Sequence, residues 1–467
     1  MSAPPTALTA RWDALLDRWA DGTLPAADLA AWHDEQLRTV VAHVRSRSPF
    51  YRRHLAKVDP DAISLQTLPD LPTTAKADLR AAMSDVLSAP MSEAAVYYET
   101  TGTTGPSTPS PRSPLEVRTS NAPVAASLRR VLADRFGDRS PVLALMGPAE
   151  LYAFCDTFGD VAAQLGVAHV KLWPESPRVG FRKALRLLCE LQVEVVVCAP
   201  ALCLNLARAA LHHGLDPRRD LSVRQFLVLG EICTPEFREN VRSLWGADVV
   251  PVLYGSQEAL AIATGCPQGA LHLSQPNYVA EVLDSDGRSL GQHGNGELCL
   301  TMLAPGIKPL IRYRTGDSVH LRPSDCPCSG PGDLVDILGR VDDGIALGEA
   351  RLQPAELESL VLRGVRGCLG YQVVVRDEDG GTALTVRLHL LPEVSGPPDQ
   401  VQSDVRERLE EACGVPVEVV VDADLDPITN TGAFVSWKAA RIRDDRFPDD
   451  PLVATAREHA QAHLVTT

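Results

Sequence analysis

The sequence predicts an α/β protein: a large N-terminal domain with mainly parallel sheets and a β region, then a small α+β C-terminal domain. Three observations lead there. Between about 140 and 255, short apolar runs alternate with amphipathic helical stretches. From Asn277 the pattern changes to alternating strands with a hairpin signal. Beyond Gly339 a strand–turn–strand, a helix and a further strand read as a unit of their own, which divides the chain into 1–338 and 339–467.

Residues 1–90 read as helical, because Leu37, Val40, Val41 and Val44 recur at helical spacing while Arg38, His43 and Arg45 fall on other faces. LPDLPTT (68–74) is broken by prolines and reads as loop. YYETTGTTGPSTPSPRS (97–113) follows, with Thr100, Thr101, Thr103, Thr104, Ser107 and Thr108 around Gly102 and Gly105. Glycines let a backbone approach a ligand closely, and successive N–H groups with hydroxyls form a concavity for phosphate oxygens. Taken alone, the run reads equally as a flexible linker. It is not a Walker loop, since no Gly-Lys-Ser/Thr follows.

VLALMG (142–147), VEVVVCAP (193–200), FLVLGE (226–231) and VVPVLYG (249–255) are predicted strands. FRKALRLLCEL (181–191) and PEFRENVRSLW (235–245) are predicted helices between them. Ligands bind beyond the carboxyl ends of such strands, so the loops after Leu229 and Leu253 are expected site walls. NYVAEVLDSDGRSLG and NGELCLTML predict a hairpin turning at Asp284–Gly287.

Composition limits the function classes. The chain has 467 residues, 45% hydrophobic and 22% charged, as in an ordinary globular enzyme. A net charge of −15 argues against nucleic acid as the main partner, because that binding needs basic patches. Neither a signal peptide nor an 18-residue apolar run is found, so no membrane partner and a cytoplasmic location are expected. Eleven scattered cysteines do not suggest a disulfide framework. Cys155, Cys189, Cys198, Cys203, Cys233, Cys299 and Cys368 sit mostly in apolar runs, as small core residues do.

The Thr/Gly run is followed in order by YGSQE (254–258), YRTGD (313–317), GRVDDGIALG (339–348) and a late lysine in SWKAAR (436–441). Together these resemble the adenylate-forming superfamily of acyl-CoA synthetases and adenylation domains. SPFYRRHL (48–55) and the CPC segment before GRVDD are similar to the phenylacetate–CoA ligase branch. The resemblance covers roughly residues 40–445. It implies ATP-dependent conversion of a carboxylic acid to an acyl-adenylate with release of pyrophosphate, then transfer to the thiol of CoA. A carrier-protein thiol or an amine as acceptor, and an inactive nucleotide-binding regulator, are the competing readings.

The resemblance also implies roles. Thr100, Thr101, Gly102, Thr103, Thr104 and Gly105 would hold the ATP phosphates, with Thr101 catalytic. Glu258 would bind Mg²⁺, a hard cation that takes carboxylate and phosphate oxygens. Tyr254, Gly255, Ser256 and Gln257, with Gly230 and Glu231, would surround the nucleotide. Asp317 would accept from the ribose hydroxyls. Arg340 would contact nucleotide or hinge, and Asp342 resembles the residue about which a mobile C-terminal domain turns. Lys438 would reach the α-phosphate as a mobile point charge. Gln257 stands where the family has Ser or Thr, and Trp437 where it commonly has Gly.

Cys266 and His272 form C-x5-H, and Cys326 and Cys328 form C-x-C. Three thiolates and an imidazole suit a closed structural Zn²⁺ site, with reduced loop cysteines as the competing reading. Some phenylacetate–CoA ligase-like proteins have a similar arrangement. Tyr152, Phe154 and Phe158, near helical spacing, pack a core or line an acid pocket; in the second case an aromatic acid suits them. A homodimer is the default assembly.

Overall fold

The protein is described from a computed structural model. It covers residues 7–99, 107–378, 381–421, 425 and 441–446. Thr100, Thr101, Gly102, Thr103, Thr104, Gly105, Trp437 and Lys438 lie outside the described residues. The chain divides into two compact units.

The first unit comprises Met1–Asp138, Ala149–Leu165 and Val252–Ile337. Its first helices, Ala7–Ala20 and Ala26–Arg47, bury Trp12, Leu37, Val40, Val41 and Val44 completely, which is the apolar face the spacing predicts. Ser48 accepts from the Tyr51 backbone and caps the helix Pro49–His54, with proline at its first turn. The Tyr51 hydroxyl then accepts from Ile311 N at 3.0 Å, tying this segment to the β region. A helix not anticipated from sequence, Pro114–Phe136, starts at a reciprocal Ser113–Glu116 capping box.

The β part of this unit runs antiparallel. Tyr278–Leu283 turns back at Asp284–Gly287 into Ser289–Gly291, as predicted, and Gly287 takes φ +78° there. Gly294–Met302 pairs with the other edge of Tyr278–Leu283 and then with Tyr313–Arg322. PSPR (109–112), read within a loop, is a strand paired with Val96–Glu99 in the register Glu99↔Pro109. Prolines sit here because the ribbon is only two strands wide and most of its edge donors are not needed.

The second unit comprises Arg139–Pro148, Gly166–Pro251 and Leu338–Thr467. Leu143–Met146, Val195–Cys198 and Gln225–Leu229 are the predicted parallel strands, in the order 225–229, 195–198, 143–146. His169–Lys171 adds an edge strand that the sequence did not show, because its side chains are partly or fully exposed and give no apolar run. The helices Gly180–Glu190, Pro200–His212 and Pro235–Trp245 share one core with buried Val196, Phe226 and Val228 of the strands.

Cys368–Glu378 and Gly381–Leu390 form the expected C-terminal hairpin. The helix Pro398–Cys413 follows, and Val417–Val421 joins parallel to the second hairpin strand. Asn240 fixes this hairpin to the Pro235–Trp245 helix, donating to Cys368 O at 2.7 Å and accepting from Cys368 N at 2.8 Å. Glu358 accepts from Thr234 N and from the Tyr371 hydroxyl in the same buried layer. Among the described residues, no helix is long and apolar enough to cross a membrane.

Candidate active site and metal centre

The YGSQE motif lies at a tight reversal in the first unit. The strand ending Tyr254-Gly255-Ser256 pairs antiparallel with Leu260–Gly265 across a register shift at Gly255. A Cβ on Gly255 would stand 2.1 Å from the Leu260 carbonyl oxygen, so only glycine permits this approach. Ser256 Oγ accepts from Ala259 N at 3.1 Å and closes the turn that aims Glu258 inward.

Glu258 is 5% exposed, and its Oε1 has no hydrogen-bond partner among the described residues. Lys76 Nζ stands 3.1 Å from that oxygen and pairs with it as a cation. Burial pushes the carboxyl up, but Lys76 and Lys308 more than offset this and hold it below its ordinary range. A buried carboxylate held in its ionised form by neighbouring lysines fits a hard divalent cation such as Mg²⁺. Gln257 is engaged elsewhere: its amide donates to Leu151 O at 3.2 Å and accepts from Ala153 N at 3.3 Å.

A short bond from the Tyr254 hydroxyl to Asp317 Oδ2, at 2.6 Å, joins YRTGD to YGSQE. Asp317 sits after Gly316, at φ +75°, where the strand Tyr313–Arg322 bulges against Glu297. Gly316 N donates to Glu297 Oε1, and Asp317 N to Thr315 Oγ1. The bulge re-aims a side chain that regular alternation would place otherwise.

Gly230, Glu231 and Arg340 belong to the second unit. Gly230, at φ +87°, ends the Gln225–Leu229 strand, and Glu231 Oε2 accepts from Ala201 N at 3.1 Å. Burial pushes the Glu231 carboxyl up to about 7, while Arg441 and the Ala201 N–H pull it down. Glu175 is likewise pushed up to about 7, first by desolvation and then by the charge of Glu231. Arg340 is exposed and precedes the short turn Val341–Asp343, which contains Asp342. Of the three aromatics considered above, Phe158 is fully buried as a core residue, while Tyr152 and Phe154 are half-buried.

The four zinc-ligand candidates converge. Sγ of Cys266, Cys326 and Cys328 and a ring nitrogen of His272 all lie within 4.8 Å of one another. Cys266 Sγ is 3.7 Å from Cys326 Sγ, and Cys328 Sγ is 3.3 Å from His272 Nε2. A tetrahedron with Zn–S bonds of about 2.3 Å has edges of about 3.8 Å, so the separations fit. His272 Nδ1 faces Gly332 O at 3.3 Å, which leaves Nε2 for a metal. Burial pushes the Cys266 thiol up to about 12, so without a cation this group stays protonated.

Sequence reading missed Lys76, Lys308, Arg112 and Glu116. They lie far from YGSQE in the chain, and no local pattern marks a residue that matters through a tertiary contact.

Comparison with known proteins gives the class. The profile of the family described as AMP-binding enzyme matches residues 30–302, and the chain belongs to that family. It is 31% identical to a phenylacetate–coenzyme A ligase of Thermus thermophilus over 76% of this chain and 80% of that protein. It is 27% identical to the phenylacetate–coenzyme A ligase of Pseudomonas putida over 70% and 74%. A 2-hydroxyisobutyryl-CoA ligase solved in the postadenylation state shares the fold, with a TM-score of 0.76 at 20% identity over 93% of this chain and 94% of the other. The protein is thus an AMP-forming acid–thiol ligase of the phenylacetate–CoA ligase-like branch.

Proposed function

We propose that this chain activates an aromatic carboxylic acid with ATP, releases pyrophosphate, and passes the acyl group to the thiol of CoA. The observation that carries this reading is the Tyr254–Asp317 bond, with the buried, lysine-paired carboxylate of Glu258 in the same YGSQE motif. In this reading Asp317 accepts from the ribose hydroxyls, with Tyr254 fixing its orientation. Gly255, Ser256 and Gln257 shape the same wall, and Gly230 and Glu231 border the adenine. Mg²⁺ held by Glu258 would neutralise phosphate charge as it develops. Thr100 to Gly105 bind the phosphates, Thr101 and Lys438 act on the reacting oxygens, and Arg340 contacts nucleotide or hinge. The 339–467 segment turns about Asp342 between the half-reactions. A structural Zn²⁺ on Cys266, His272, Cys326 and Cys328 supports the β region and takes no part in the chemistry.

The similarity to phenylacetate–coenzyme A ligases and the half-buried rings of Tyr152 and Phe154 support an aryl or arylacetic acid. The test is ATP–pyrophosphate exchange across aryl, arylacetic and short aliphatic acids, with and without CoA. Exchange driven by an aryl acid without CoA, followed by thioester on adding CoA, is expected. Exchange with no thioester would move the acceptor to a carrier protein or an amine. Absence of exchange with every acid would overturn the reading.

A further inference from the structure

Lys308 is fully buried, an unusual place for an ammonium group. Its Nζ donates to Pro109 O at 2.7 Å and to Ser110 Oγ at 3.0 Å. Both acceptors lie on the strand that leaves the Thr/Gly run. Arg112, on the same strand and also fully buried, donates to the carbonyl oxygens of Gln257 and Glu258. Glu116 completes the layer, accepting from Arg112 Nη1 at 3.2 Å and from Ile307 N at 2.9 Å. A Cβ on Gly306 would meet Glu116 Cδ at 2.1 Å, so the 306–308 turn is pressed against this carboxylate. Arg112, Lys308, whose ammonium is pushed down to about 7 by burial and then by Arg112, and Glu116 thereby join the 109–116, 257–258 and 306–308 segments.

Stability alone does not require a lysine here. Replacing a whole buried ionic network by apolar side chains is often neutral or stabilising, whereas removing Lys308 by itself leaves Pro109 O and Ser110 Oγ without their donor. What an apolar chain cannot supply is the pair of bonds to Pro109 and Ser110, or a positive charge close to Glu258.

We infer that Lys308 is a positioning residue for the nucleotide half-reaction: it fixes the Pro109–Arg112 strand against the Glu258 turn, so that phosphate-binding backbone and metal-binding carboxylate keep one spacing. This rests on the nucleotide reading given above. Its effect falls on the use of Mg·ATP and leaves recognition of the acid and of CoA alone.

The experiment compares wild type, Lys308→Met, Lys308→Arg and Ser110→Ala in ATP–pyrophosphate exchange, using whichever acid of the panel drives the wild-type enzyme. Thermal melting is recorded alongside. Lys308→Met is expected to melt lower than wild type, since two buried acceptors lose their donor, and, below its melting point, to raise KM for Mg·ATP by about tenfold and to need more Mg²⁺ for half-activation, with KM for the acid unchanged. Lys308→Arg is expected to recover part of the loss. An unchanged Mg·ATP response in Lys308→Met, or an equal loss toward acid and nucleotide, overturns the inference while leaving the ligase reading intact. No exchange in wild type would sink that reading itself. Should Lys308→Met fail to fold, Ser110→Ala decides: a rise of about threefold in KM for Mg·ATP alone supports the role, and no rise overturns it.

Discussion

The Tyr254 hydroxyl donates to Asp317 Oδ2 at 2.6 Å, joining two motifs that lie in different strands of the β region. This bond limits the rotation of the Asp317 carboxylate. Asp317→Ala is expected to raise KM for ATP by about 10- to 100-fold, since a hydrogen bond to a charged group contributes about 1.5–3 kcal/mol. Tyr254→Phe removes only the orienting bond and should cost about 1 kcal/mol, roughly fivefold in the same KM. Equal KM for ATP in Asp317→Ala and wild type would remove the ribose role.

Glu258→Gln keeps the shape of the turn and removes the charge. Acid-dependent pyrophosphate exchange should fall by about 10²- to 10³-fold, the size expected for losing one preorganised electrostatic group. The melting temperature should fall as well, because Lys76 and Lys308 more than offset the burial of this carboxylate and would lose their partner, so exchange is measured below the melting point of the variant. Exchange that retains wild-type Mg²⁺ dependence would show that another group binds the cation.

Purified protein is expected to contain one zinc per chain by elemental analysis, and Cys328→Ser to contain much less. At a free zinc concentration 100 times Kd, binding stabilises the folded state by about 2.7 kcal/mol, so chelation should lower the melting temperature. Exchange activity measured below the new melting point should survive, as the four ligands leave no open coordination position.

Glu175 and Glu231 have folded values of about 7, above the ordinary 4.5. Between those values the folded chain binds more protons than the unfolded one, so stability falls as pH rises from about 4.5 to 7 and the penalty is complete above it. Arg441 offsets part of it at Glu231. Glu175→Gln should therefore melt higher than wild type at pH 8, with the gap shrinking toward pH 5. A gap that is equal at both values would contradict the coupling.

Much of this protein was legible in the chain. Apolar runs of four or five residues became Leu143–Met146, Val195–Cys198 and Gln225–Leu229, because a strand buried on both faces must be apolar throughout. The helical spacing of Leu37, Val40, Val41 and Val44 and the Asp284–Gly287 turn are equally local signals. The ordered motifs named the family, and the C-x5-H and C-x-C pairs named four side chains that the fold brings within 4.8 Å of one another, since residue type and spacing carry that chemistry. The Pro109–Arg112 strand escaped because its residues have turn chemistry, and only pairing with Val96–Glu99 makes it a strand. Tertiary structure alone decided that Gln257 holds Leu151 and Ala153, that Lys76 faces Glu258, and that Lys308 donates to Pro109 on the Pro109–Arg112 strand. A side chain's partner across the fold depends on how distant segments are packed, and neither hydrophobic period nor motif spacing contains that information.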